Sequence, residues 1–264
     1  MKGFALITFI LVLLFCSCQK VVNLKLNTVP PQIVIQGEIT DSGGPYAITI
    51  NQSVDFYASN TFPPVSGAVV KISDNLGNDD SLIEYTPGIY STTNFQGRPG
   101  RTYTLSVTVQ NNTYTAVSTM PMPVKLDSIT FSLTSGFGKQ QIDAIANFQD
   151  PPGVPNYYQF LEYINGIQFN KEIFIFDDRL SDGKYISTTL RTDSSYLNMG
   201  DVLKLKMYSI DENVYNYFLQ LRQSSGTGAF NSTASPANPT TNITGGALGY
   251  FSAHTTQYQT ITVY

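Results

Sequence analysis

Thr102-Tyr103-Thr104-Leu105-Ser106-Val107-Thr108-Val109 alternates hydroxyl and apolar side chains without interruption. Successive side chains of a strand point to opposite faces, so a strict period of two marks a half-buried β-strand. The same alternation recurs on both sides of this stretch. Upstream, Ile33 and Ile35 open a first strand. Tyr46, Ile48 and Ile50 mark a second after the Ser42-Gly43-Gly44-Pro45 turn, and Ala68, Val70 and Ile72 a third. Leu82 to Tyr85 and Ile89 to Thr92 flank a Pro87-Gly88 turn, and downstream an Asn111-Asn112 turn leads into Tyr114 and Ala116. Short strands at this spacing, with no helical stretch among them, predict a β-sandwich of immunoglobulin or transthyretin type over residues 32–121.

Met120-Pro121-Met122-Pro123 is the expected domain boundary, because alternate prolines cannot sit inside a central strand. Beyond it, residues 122–264 read as a second β-rich domain. Its strands are marked by Ile129, Phe131 and Leu133; by Ile142, Ala144, Ala146 and Phe148; and by Tyr158 and Phe160. Ile173 and Ile175, Tyr185 to Leu190, and Leu203, Leu205 and Met207 mark further strands, with Tyr250 to Ala253 and Thr260 to Tyr264 closing the chain. One helix interrupts them near residues 211–223. Ser209 with Glu212 three residues later has the form of a capping box, and Val214, Phe218 and Leu221 fall on one face. The whole is an all-β chain with one inserted helix.

The N-terminus carries a different signal. Met1-Lys2-Gly3 supplies a positive charge, and Phe4 to Phe15 is an apolar run broken only by Thr8. That run is too short for a bilayer needing roughly 20 helical residues, so residues 1–17 read as a signal peptide. Both cysteines, Cys16 and Cys18, stand at its end and none follows, which does not suit a disulfide framework. Ser17 is the small residue wanted before a cut, so Cys18 is the expected lipidation site. Residues 18–31 would then form a lipidated tether closed by Pro30-Pro31.

The net charge is −4 and no basic run occurs, which argues against nucleic acid as a partner. His254 is the only histidine, and no cysteine remains after Cys18. Histidine-based nucleophilic triads and Cys/His zinc sites are therefore not expected. Asp177-Asp178, Asp182 and Asp150 lie beside turns as hard-cation donors without the Asp-x-Asp-x-Asp-Gly spacing of a calcium loop, and they read as solvated turn acids. Neither a metal nor a cofactor is expected, and no catalytic residue is assigned. The 17 Tyr and 16 Phe stand without a Trp, and Tyr57, Phe62 and Phe95 are the candidates for an exposed aromatic contact. Asp80-Ser81-Leu82 and Asp127-Ser128-Ile129 have the form of short O-glycosylation acceptors at Ser81 and Ser128.

Five segments recur in order along the chain: Pro31 to Thr40, Val65 to Asp74, Gly97 to Leu105, Leu126 to Ile129, and Asn242 to Phe251. Together they resemble Bacteroidota lipoproteins catalogued as domain of unknown function 4249. The resemblance implies an outer-membrane lipoprotein held by a lipid anchor, often encoded beside a TonB-dependent receptor, and brings no catalytic residues with it. The expected function is that of a non-enzymatic accessory or binding component associated with such a receptor. The alternatives are a glycan- or peptide-acting hydrolase using loop carboxylates, and a structural or adhesive module. Gln19-Lys20 follows Cys18 where surface-exported lipoproteins of that phylum often carry acidic residues, which favours the periplasmic face.

Overall fold

A computed structural model describes residues 30–264 apart from 56–57, 59–60, 137–138, 170–171, 192–196 and 225–237. Cys18, the signal segment and most of the tether lie outside the described residues. Pro31–Tyr264 forms one compact unit. The first half contains β1 (Ile33–Thr40), β2 (Ala47–Gln52), β3 (Val69–Asp74), β4 (Asp79–Ser81), β5 (Ile83–Thr86), β6 (Ile89–Ser91), β7 (Thr102–Val109) and β8 (Asn112–Thr119). The second contains β9 (Leu126–Gly136), β10 (Lys139–Gln149), β11 (Tyr157–Ile164), β12 (Ile167–Gln168), β13 (Phe174–Asp177) and β14 (Tyr185–Leu190). It closes with β15 (Val202–Ile210), the helix α1 (Glu212–Ser224) and β16 (Leu248–Thr262). The fold is all-β with a single helix among the described residues.

A nine-stranded sheet runs β12-β11-β15-β16-β1-β2-β6-β5, with β13 added beside β11. Two smaller sheets, β4-β3-β7-β8 and β14-β10-β9, complete the β-structure. The first core lies between the large sheet and β4-β3-β7-β8. Ile35, Ile39, Ile48 and Ile50 meet Val70, Ile72, Leu105 and Val107 there. The second joins Ile142, Ala144, Ala146 and Phe148 of β10 to Tyr158, Phe160, Leu203, Leu205 and Met207. Alternation inside and outside these cores is what the period-two stretches predict.

The structure redraws the expected elements in four places. The strand expected over Leu82 to Tyr85 is β5, which pairs with β6, and it is preceded by an unexpected short strand, β4, that pairs with β3 in the other sheet, the buried Leu82 turning the chain between them. The β7–β8 hairpin turns at Gln110-Asn111, one residue earlier than Asn111-Asn112, with Val109 opposite Asn112. The two closing strands are one. β16 pairs parallel with β1 over Leu248 to His254 and antiparallel with β15 over Thr255 to Thr262. Its odd-numbered residues feed both cores, Phe251 and Ala253 the first and Ile261 the second, joined there by Val263 just past its end.

The fourth change is at the helix. Ser209 continues β15, and Asp211 is the residue that caps α1. Its Oδ1 accepts the Val214 N–H at 2.9 Å and its carbonyl accepts the Tyr215 N–H at 3.0 Å, satisfying donors that a helix start leaves open. Burial pushes the Asp211 carboxyl up, although the Ser118 hydroxyl and the Thr119 N–H also donate to it. The buried helical residues are Val214, Tyr215 and Tyr217, while Phe218 is only partly buried. α1 packs on Tyr208, Ile210, Tyr157 and Ile175 of its own sheet.

One glycine and one tyrosine fix the chain at two places in the first half's framework. Gly249 has φ +99°, and a Cβ there would lie 2.0 Å from the Ile35 carbonyl oxygen, so only glycine allows β16 to join β1. Tyr103 forms a tyrosine corner: its hydroxyl accepts the Arg98 N–H at 2.6 Å and donates to the Arg98 carbonyl at 3.0 Å.

Candidate functional site

β13 ends in Asp177, and Asp178 follows it; the two carboxylates serve different neighbourhoods. Asp177 lies in an open cleft of about 470 Å³ lined by Ile175, Phe176, Asp177, Arg179, Leu180 and Tyr215. The Arg179 guanidinium donates from Nε at 2.7 Å and from Nη2 at 2.9 Å to its two oxygens. The Tyr215 hydroxyl of α1 adds a third bond at 2.5 Å. The bonds from Arg179 hold the Asp177 carboxyl below its ordinary value, while burial and this carboxylate push the Tyr215 hydroxyl up to about 12. The polar side of the cleft is thus a closed network of partners, and its remaining walls are apolar.

Asp178 joins Asp150 and Asp182, and one carboxylate oxygen from each of the three lies within 4.8 Å of the other two. Asp150 and Asp178 are buried and Asp182 is exposed. Asp150 accepts the Tyr158 hydroxyl at 2.5 Å and the Gly183 N–H at 3.0 Å. Asp178 accepts the Asn156 N–H at 3.0 Å, and Asp182 the Gly153 N–H at 2.7 Å. Each bond ties the loop after β10 to the segment between β13 and β14, or to the start of β11. Burial raises the Asp178 carboxyl, and the charges of Asp150 and Asp182 add to the shift. By donor chemistry these three are the described residues that could hold a hard cation.

His254 is 1% exposed. Its ring stacks on Tyr208 at 4.2 Å between centroids, and Nδ1 lies 3.0 Å from the Ser252 hydroxyl. A Ser–His pair buried this deeply on one strand has no face open to a substrate. Of the aromatic candidates, Phe62 is exposed, Phe95 is not, and Tyr57 lies outside the described residues. Phe95 fills the first core, edge-on to Tyr103, and is not available for contact. Ser81 is exposed at the end of β4, whereas Ser128 is half-buried on β9. The carboxylates were visible in the sequence; Arg179 and Tyr215 were not singled out, and Tyr158 was read only as a strand residue. The Asp177-x-Arg179 spacing carried a signal for the first, and nothing local marked the tyrosines.

The model of the family described as a domain of unknown function, DUF4249, matches residues 19–260. The chain belongs to the DUF4249 family. No curated protein matches it significantly. The segments that carry the DUF4249 resemblance fall mainly around the first core. Pro31 to Thr40 forms β1, Val65 to Asp74 contains β3, and Gly97 to Leu105 is the tyrosine corner leading into β7. Asn242 to Phe251 begins the return strand, where the Asn242 side chain donates to the Phe251 carbonyl at 2.7 Å and accepts its N–H at 3.0 Å. Leu126 to Ile129 opens β9 beside the second core. None of these segments lines the cleft.

Proposed function

We propose that this DUF4249 protein is a non-enzymatic lipoprotein of the bacterial outer membrane. It is anchored through Cys18 and acts as an accessory or binding component beside a TonB-dependent receptor. The observation that supports its non-enzymatic part is the enclosure of the histidine and the structural engagement of Asp177 and Asp150. The one histidine is sealed in the fold, Asp177 is fully engaged by Arg179 and Tyr215, and the Asp150 carboxylate spends both oxygens on Tyr158 and Gly183. A general acid or base must reach the substrate's proton at hydrogen-bond distance, and these groups are committed to structural partners. A cleft with apolar walls and a self-satisfied polar edge suits contact with another molecule better than bond cleavage. The signal-like start and the Cys18 position support the anchor, and Gln19-Lys20 favours the periplasmic face.

Gentle solubilisation of native membranes and isolation of the tagged protein test the assignment. A receptor recovered in stoichiometric amount is expected. Recovery of the protein alone, with turnover of a glycan or peptide substrate by the purified chain, would replace this reading with the hydrolase.

A further inference from the structure

The face of the large sheet beneath α1 holds a buried polar cluster that the proposed function does not use. Even-numbered residues of β16 point into it: Tyr250, Ser252 and His254. The Tyr250 hydroxyl donates to Glu38 Oε1 of β1 at 2.8 Å, and Tyr208 of β15 stacks on His254. α1 closes the cluster from above, with the Tyr217 and Phe218 rings each 5.0 Å from Tyr250 and with Val214 and Tyr215 packed in one cluster with Tyr208. Inside this enclosure His254 Nε2 has no hydrogen-bond partner. Whichever tautomer the Ser252 bond selects, a second proton on the ring would place a cation, with one N–H unanswered, against the Tyr208 face.

We propose that His254 is an acid-sensitive latch for α1, holding the helix on the sheet while the imidazole is neutral and releasing it when the imidazole is protonated. The charged groups facing the ring come from each neighbouring strand. Glu38 on β1 and Asp41 just after it favour the imidazolium, and Lys206 on β15 opposes it. Both acids already have partners, Glu38 in the Tyr250 hydroxyl and Asp41 in the Thr256 N–H at 2.9 Å. Burial outweighs these charges and moves the His254 imidazole below its ordinary value of 6.5. Burial holds the hydroxyls of Tyr208, Tyr217 and Tyr250 above their ordinary range, so they stay neutral throughout.

The sign follows from linkage. A histidine with a depressed folded value contributes stability that is complete above pH 6.5 and is lost as pH falls toward that folded value. If the open form lets the ring meet water, the open population grows by up to about tenfold per pH unit across that window. Asp211 at the start of α1 acts with the opposite sign. Its raised carboxyl favours the folded form as pH falls, so it cannot mimic the latch. Opening would uncover the aromatic strip of Tyr157, Tyr208 and Tyr250.

Because the chain has a single histidine, its imidazole Hε1 proton is one NMR signal, and it can be titrated on the full chain alongside amide exchange. Exchange in α1, corrected for intrinsic rates, is expected to accelerate by up to tenfold between pH 6.5 and 5.5. The β7–β8 hairpin should not change, and His254→Gln should flatten the α1 response. Acceleration that survives in His254→Gln, exchange independent of pH, or equal acceleration of α1 and the hairpin would each overturn the latch. If His254→Gln does not fold, the parent decides. A ring titrating at or above 6.5 refutes the proposal, and one titrating below it in step with α1 exchange supports it.

Discussion

Tyr103 illustrates how much one side chain carries at the residue scale. Its ring is buried in the first core, edge-on to Phe95, and its hydroxyl closes the Arg98 backbone on both sides. Tyr103→Phe keeps the ring and removes the hydroxyl's bonds to the Arg98 N–H and carbonyl, of which the carbonyl keeps the Arg101 N–H at 3.4 Å. It should therefore cost about 0.5–1.5 kcal/mol, the usual net worth of an intramolecular hydrogen bond where the partner left behind lies on an exposed residue, measured by urea denaturation. Unchanged stability would show that the corner is incidental. Burial of Tyr103 was legible from alternation along Thr102 to Val109. Its hydrogen bonds were not, because they depend on a loop whose course no periodicity encodes. The acids behave likewise: Asp177 and Asp178 are adjacent in sequence yet enter different networks, since neighbouring side chains at a strand end diverge.

At the scale of elements, strand positions could be read from the sequence wherever one face is buried. Reading failed where a strand changes partner. Leu82 hands the chain from one sheet to the other, and β4 before it, Asp79-Asp80-Ser81, has no apolar residue to mark it as a strand. In β16 the polar run Thr255-Thr256-Gln257 resembles a loop, yet it is paired throughout with β15. Further on, the Gln259 side chain is spent on the Leu126 and Asp127 carbonyls at 2.7 and 2.8 Å. The helix was placed correctly, but its buried face was not. A stripe of Val214, Phe218 and Leu221 omits Tyr215 and Tyr217, whose rings are buried, Tyr215 with its hydroxyl held by Asp177. Phe218 is partly exposed, so Phe218→Ala should cost less than the ~3–5 kcal/mol of a fully enclosed phenylalanine. Tyr215→Ala loses the ring contact with Tyr157 and the bond to Asp177, and should cost more than Phe218→Ala. Thermal denaturation of the pair should show that order; the reverse order would contradict the orientation of α1.

Across the whole molecule, β16 decides cooperativity. The first core takes Ile243, Ala247, Phe251 and Ala253 from the last part of the chain. A fragment of residues 30–122 keeps β1 to β8 but loses these, and burial of Phe251 alone is worth ~3–5 kcal/mol. A typical domain has only ~5–15 kcal/mol in total, so the fragment should be largely unfolded by circular dichroism. A cooperative β-type melt from that fragment would show that the first sandwich does not need the return strand. The DUF4249 match over residues 19–260 takes in both cores and the return strand that joins them. On this account the function rests on where the scaffold is held. Fractionation of cells expressing Cys18→Ser and Cys16→Ser tests that most directly. The account predicts that Cys18→Ser moves to the soluble periplasmic fraction while Cys16→Ser stays with the outer membrane. Membrane retention of both variants would contradict it.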